Sequence, residues 1–212
     1  RLSLVVPFPA GSGIDLTARV VADKLAGQLG QPVIVENKAG ANGAIAATAV
    51  ARSAPDGYTL FMTTPSTHSA APYLMKSLPF DPIKDFEPVS RMGNLPFILV
   101  SAGKLPIKDL RGFVEYGKAN PGKLSYASSN AVGLVGGSVV TRLAGLEMTH
   151  VPYKAAPQAL QDMLRGEISL MLADYPSALP HVRSGGITAL AVTTIERSAL
   201  LPEIPSMKEV GL

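Results

Sequence analysis

The segment Pro7-Phe8-Pro9-Ala10-Gly11-Ser12-Gly13-Ile14-Asp15 holds the residues best placed to do chemistry. It follows an apolar run, residues 2–6, with the texture of a buried strand, and it opens a stretch with helical spacing. A small, glycine-rich corner between a strand and a helix exposes backbone N–H groups. The helix dipole adds partial positive charge at the same point. Such a corner suits an anion, and a bulky side chain at Gly11 is expected to block the ligand while leaving the fold intact.

Other constellations compete with that reading. Gly11-Ser12-Gly13 between strand and helix, with Glu36 closing the next strand, has part of a dinucleotide fingerprint. However, Leu16 holds the third glycine position, Pro7-Phe8-Pro9 lengthens a turn that should be tight, and no Walker lysine is present. The plain alternative is a glycine corner serving only chain reversal. Ser128 or Ser129 with His150 and Asp174 can be drawn as a hydrolytic triad, yet there is no Gly-x-Ser-x-Gly elbow and the pocket loops lack a plausible base. His68, His150 and His181 are far apart and lack the paired spacing of a metal site, so packing or surface roles are expected and no metal.

Two carboxylates have bland readings beside the functional ones. Asp174 follows the apolar run 168–172. It could accept a bond from a ligand hydroxyl or ammonium at a pocket mouth, or cap a helix before Pro176 and Ser177. Asp15 lies in a first helical turn, where the dipole stabilises it with or without a ligand. Met62, Met75, Met163 and Met171 read as core fillers.

The elements that must position these residues are legible in the pattern. Ile14, Ala18, Val21, Leu25 and Leu29 share a helical face, with Ser12 as N-cap, Asp15 at the capping-box position and Gly30 as the stop. A strand at 33–35, a small-residue loop at 38–43, a helix over 44–53, the turn Ala54-Pro55-Asp56-Gly57 and a strand at 58–62 follow. Prolines 79, 82, 88 and 96 mark an irregular junction. Strands are then expected at 97–100, 124–127, 149–151, 168–172 and 187–192. Helices are expected over 107–119, from the loop 128–133 to about 143, and near 157–165 and 177–184. Ser206 with Glu209 forms a capping box in the tail. Short connections between alternating strands and helices predict parallel β-α-β units in two successive α/β lobes, 1–97 and 98–212. In such sheets ligands bind beyond the carboxyl ends of the strands, where the loops here are rich in Gly, Ala, Ser, Thr and Asn.

Composition narrows the function further. Hydrophobic residues make up 47% and charged residues 17% of the 212, a globular rather than disordered balance with room for one large domain or two modest ones. The net charge of +3 is dispersed over single Lys and Arg residues without a basic stripe, which disfavours nucleic acid. The absence of cysteine excludes disulfides, thiolate metal sites and thiol nucleophiles. No apolar stretch approaches the length needed to cross a bilayer. Arg1 leads straight into the first apolar run, so an exported protein would be present here in processed form.

The residues together resemble a known family. The opening nonapeptide with Ala18-Arg19 is similar to the signature of the tripartite tricarboxylate transporter receptors, the Bug or TctC-like extracytoplasmic solute-binding proteins. So are Gly30-Gln31-Pro32-Val33, Glu36-Asn37, Ala54-Pro55-Asp56-Gly57-Tyr58-Thr59-Leu60, Lys84-Asp85-Phe86, Pro121-Gly122-Lys123-Leu124, His150-Val151-Pro152-Tyr153-Lys154 and Leu190-Ala191-Val192-Thr193. Ser12 and Ala155 stand where the family usually has glycine.

The resemblance implies a two-lobed type II periplasmic-binding-protein fold. It implies a periplasmic receptor, not an enzyme, that captures a small carboxylate (a di- or tricarboxylate, acidic amino acid or aromatic acid) in an interlobe cleft and delivers it to a tripartite membrane permease, with no cofactor. By motif position the ligand residues would be Phe8, Ala10, Gly11, Ser12 and Asp15 in the first lobe. Those of the second would be Ser128, Ser129, Asn130 and Gly133. Weaker members would be Thr64 and Thr67, in the loop after the third strand of the first lobe, and Asp174 in the second. It also implies a return segment to the first lobe beyond Gly211-Leu212, leaving one crossing near residues 96–100 in this sequence. The rival readings are a detached effector-binding domain of a regulator and a hydrolase on the same scaffold.

Overall fold

The computed structural model describes residues 1–211, so expectations about Leu212 lie outside the described residues. The chain divides into two compact units, Arg1–Met92 and Gly93–Leu212.

In the first unit, β1 (Leu2–Val6) lies between β2 (Val33–Asn37) and β3 (Thr59–Phe61), all parallel. Alternation along β1 sends Leu4 and Val6 to one face, where they meet Ala18 and Ala22 of α1 (Gly13–Leu29) and Met62. Small alanines on α1 allow the helix to lie close to the sheet. Gly30 ends it with φ of 62°, the left-handed conformation expected of a stop. The second hydrophobic cluster of this unit joins Ala44 and Ala47 of α2 (Ala44–Ala51) to Phe61, Phe80 and Phe86. Two elements between β3 and the proline-rich stretch are absent from the periodicity reading, a π-helical turn over Ser66–Ala70 and the short α3 (Ala71–Leu74). Both lie where threonine, serine and proline give no apolar period.

The second unit carries a five-stranded sheet in the order β6-β5-β7-β4-β8, formed by β4 (Phe97–Ala102), β5 (Leu124–Ser128), β6 (Met148–Pro152), β7 (Leu170–Asp174) and β8 (Ile187–Val192). One face packs on α6 (Ala156–Arg165) and α7 (Tyr175–Arg183), through Ile98, Val100, Met171, Leu160 and Met163. The other packs on α4 (Leu110–Ala119) and α5 (Ala131–Ala144), through Leu99, Leu124, Tyr126, Phe113 and Val140. Burial on both faces explains the near-continuous apolar strands. Phe113 is fully buried, a contribution of about 1.5–3 kcal/mol from area alone. Met62, Met163 and Met171 are buried core residues as expected.

The all-parallel expectation fails at one strand. β4 runs antiparallel to both β7 and β8, with Phe97 opposite Asp174 and Ile98 opposite Val192. The preceding residues 75–96 contain no helix to carry the chain back across a sheet. As the first strand of its sheet, β4 follows no β-α crossover, and it starts at the end of the sheet where β7 and β8 finish. Thr193 fixes that start. Its hydroxyl accepts from the Phe97 amide at 2.9 Å and donates to the Phe97 carbonyl at 3.2 Å. The tail adds a parallel bridge between Val192 and Ser206. There the expected capping box forms: Ser206 N donates to Glu209 Oε2 at 2.7 Å, and Glu209 N to Ser206 Oγ at 3.3 Å.

Candidate functional site

The first corner joins β1 to α1. Ser12 occupies the N-cap position, but its hydroxyl does not cap the helix. It donates instead to the Pro9 carbonyl at 2.8 Å, and the Ser12 amide donates to the same oxygen at 3.2 Å. Asp15 takes over the capping role one residue further out, accepting from the Gly11 amide at 2.9 Å. The sequence expectation of a Ser12–Asp15 capping box is thus corrected. The Pro9 turn draws Ser12 back on itself and leaves Gly11 facing the carboxylate.

Asp15 is only 1% exposed and holds three donors, from Gly11, Arg19 and Asn37. Arg19 Nε reaches Oδ2 at 3.0 Å, and Asn37 Nδ2 reaches Oδ1 at 2.8 Å. Asn37 Nδ2 also donates to the Phe8 carbonyl at 3.0 Å, so one carboxamide ties the end of β2 to both sides of the corner. Burial opposes ionisation of Asp15, but the Arg19 guanidinium and the Gly11 and Asn37 donors outweigh it and hold the pKa below the ordinary carboxylate value. The buried charge is neutralised by Arg19, and the Gly11 amide is committed to Asp15. In α1 the amides of Gly13, Ile14 and Asp15 precede the ladder, whose first bond runs from Leu16 N to Ser12 O at 3.0 Å. Those amides, with Ala10 and Gly11 exposed at the rim and Phe8 half-buried, form the anion-suited part of the corner.

Gly11 has φ of +80°, so any β-branched residue there strains the turn. The bulky substitution expected to block the ligand therefore also carries a backbone cost.

Thr64 and Thr67 lie on the loop after β3. Thr67 is fully buried, and its hydroxyl donates to Thr64 O at 2.9 Å and accepts from Thr64 N at 3.2 Å. It also lies 3.0 Å from His68 Nδ1. Thr67 thus staples its own turn, while the Thr64 hydroxyl is buried without a partner among the described residues. His68 packs among Phe61, Phe80 and Phe86, and this burial lowers its pKa. A Cβ on Gly43 would stand 2.5 Å from Thr67 Cγ2 and 2.9 Å from Pro7 Cβ, so this glycine brings the loops after the three strands of the unit together.

The corner after β5 contains Ser128, Ser129, Asn130 and Gly133. Asn130 is the N-cap of α5, its Oδ1 accepting from Gly133 N at 2.8 Å. Ser128 and Ser129 are buried. Ser128 Oγ lies 2.8 Å from His150 Nε2, two members of the drawn triad brought together. The third is elsewhere engaged: Asp174 is the N-cap of α7 and accepts from Ser177 N at 3.0 Å. Asp174 thus forms the helix cap expected before Pro176 and Ser177. Among the described residues, no group of three or more His, Asp or Glu side chains is placed to hold a metal ion. No helix among them is long and apolar enough to cross a membrane.

Asn37 and Thr193 were legible only as parts of motifs. An amide side chain at the last position of a strand, immediately before a small-residue loop, is the local signal that could have singled out Asn37.

Comparison with known proteins identifies the family and the fold. The model of the tripartite tricarboxylate transporter family receptors, TctC, matches residues 17–212. Protein BugT of Bordetella pertussis is 39% identical over 215 residues, covering 99% of this chain and 65% of its own length. The chain thus spans about two-thirds of that relative. A solved R. palustris protein with adipate is 32% identical with a TM-score of 0.96, over 100% of this chain and 71% of that one. MatC from Rhodopseudomonas palustris, with bound malate, is 35% identical with a TM-score of 0.91, over 100% and 72%. The mixed α/β fold with two sheets is that of two-lobed periplasmic binding proteins. The family-model match over most of the chain, the identity to BugT and the agreement of fold lead to one assignment: the chain belongs to the tripartite tricarboxylate transporter receptor family.

Proposed function

We propose that this chain is the ligand-binding part of a periplasmic receptor that captures a small carboxylate and hands it to a tripartite tricarboxylate permease, without chemical change to the ligand. The candidate ligands are di- and tricarboxylates, acidic amino acids and aromatic acids. The observation that carries the reading is the Asp15–Asn37 clamp, which shapes the first corner while the first-turn amides of α1 remain outside the helical ladder. The adipate and malate bound by two solved relatives support the ligand class. A hydrogen bond to a charged group contributes about 1.5–3 kcal/mol net, so a few such bonds reach the roughly −8 kcal/mol of a micromolar complex.

The proposal assigns contacts to Phe8, Ala10 and the first-turn amides of α1 at one corner, where Gly11 and Ser12, whose amides donate to Asp15 and Pro9, shape the turn, and to Ser128, Ser129, Asn130 and Gly133 at the other. Asp15 and Thr67 serve by shaping the loops, since both are buried and engaged with their own neighbours. Thermal unfolding in the presence of malate, adipate, aspartate and benzoate tests the reading. At least one acid is expected to raise Tm, by an amount that grows with the logarithm of its concentration above Kd. No shift with any of them, or a shift with nucleotides alone, overturns it.

A hydrolytic reading can use the Ser128–His150 pair. It lacks Asp174 as an orienting acid, because that carboxylate caps α7. Turnover of activated esters that Ser128→Ala abolishes would favour it.

A further inference from the structure

The geometry points to His150 as a positioning residue that sets the polarity of the Ser128 hydroxyl, so that Ser128 donates its proton to a ligand carboxylate. This inference rests on the carboxylate-binding function proposed above and adds the residue that tunes the second corner.

The register fixes the pair. Tyr126 on β5 stands directly opposite His150 on β6, and Ser128 is opposite Pro152, so Ser128 is the diagonal neighbour of His150 on the same face. The imidazole packs on the Tyr126 ring with centroids 4.9 Å apart and planes 31° apart. Tyr126 is itself held by α5, where a Cβ on Gly137 would stand 2.6 Å from its Cδ2. The ring is thereby held in place, and Nε2 lies 2.8 Å from Ser128 Oγ.

A serine hydroxyl carries one proton and two lone pairs, whereas an ionised carboxylate only accepts. If Nε2 is bare, it takes the Ser128 proton, and only lone pairs remain to face a carboxylate. If Nε2 carries hydrogen, it donates to a Ser128 lone pair, and the hydroxyl proton is released for a second acceptor. A neutral imidazole in its Nε2–H tautomer suffices, so no change of charge is required. Ser128 lies two residues before the N-cap of α5, where the helix dipole favours an anion. A carboxylate at this corner therefore selects the Nε2–H form, and His150 acts on ligand affinity without touching the ligand.

The test uses malate and adipate as probes, with calorimetric affinities and the 15N resonances of the His150 imidazole. In the wild-type complex the Nε2 resonance is expected at the position of a protonated nitrogen. His150→Gln places an amide donor at similar reach and is expected to retain affinity within about threefold. His150→Phe keeps the stack on Tyr126 but removes the donor, with an expected loss of roughly tenfold. Ser128→Ala should lose a similar factor, and the double variant should be no weaker than either single one. A bare Nε2 in the wild-type complex, or His150→Phe binding as tightly as wild type, overturns the inference and leaves the receptor function standing. Because the resonance is read in the wild-type protein, the test survives poor folding of a variant. If the wild-type protein binds neither these acids nor any other of the panel, the receptor reading itself fails, and this inference with it.

Discussion

Asn37 and Asp15, on separate elements, share a 2.8 Å hydrogen bond, and the same Asn37 nitrogen reaches the Phe8 carbonyl at 3.0 Å. One carboxamide therefore determines the shape of a corner whose own residues are mostly Gly, Ala, Ser and Pro. Flexible residues of that kind have no intrinsic reason to hold peptide N–H groups in one direction. The clamp supplies it.

Replacing Asn37 with Ala should remove both bonds, leaving a buried carboxylate and a carbonyl short of a donor. A loss of about 2–3 kcal/mol is expected in urea unfolding. Asn37→Asp should be worse, because it sets a second carboxylate beside Asp15. A change under about 0.5 kcal/mol for both would show that the clamp contributes little.

Asp15 makes the first unit sensitive to acid. Its folded pKa lies below the ordinary 3.8, so its stabilisation is fully present above that value and is lost as pH falls through the folded pKa. The difference in urea midpoint between wild type and Asp15→Asn should be constant near neutrality and shrink below about pH 4. Glu36, lowered chiefly by the Ser3 hydroxyl, is common to both proteins and cancels in the difference. A constant difference down to pH 2 would contradict the assignment.

Gly11 stands at φ +80° with open space where a Cβ would go, so conformation rather than crowding is the constraint. Gly11→Val should destabilise by about 1–3 kcal/mol, and Gly11→Asn by less, since asparagine tolerates the left-handed region. Thermal melts of the two variants decide it. Equal melting temperatures would mean that the loop relaxes freely, and ligand loss in the valine variant could then be read as steric blocking.

The Thr193 hydroxyl both accepts from and donates to the backbone of Phe97, joining the end of β8 to the start of β4. Thr193→Val keeps the shape and deprives the Phe97 amide of this acceptor, at an expected cost of about 1–3 kcal/mol. Thr193→Ser should recover most of it. Hydrogen exchange at the Phe97 amide should accelerate in the valine variant only.

The sequence by itself determined most of the local structure. Apolar periods of two and 3.6 place the strands and helices within a few residues, because each pattern covers a face that must be buried. Local chemistry was legible too: Gly30 stops α1, and Ser206 and Glu209 cap each other three residues apart. The two small-residue corners were visible as strand-to-helix turns.

What the tertiary structure decided involves partners distant along the chain. The antiparallel direction of β4 depends on pairing Phe97 with residues near 174 and 193, which no local window contains. Asp15 became a loop anchor because Asn37 and Arg19 arrive beside it. Asp174 became a cap because Ser177 offers an amide, and Ser128 met His150 through the β5–β6 register. Residue type names the chemistry a side chain can do; the neighbours brought by folding determine which of those options it takes.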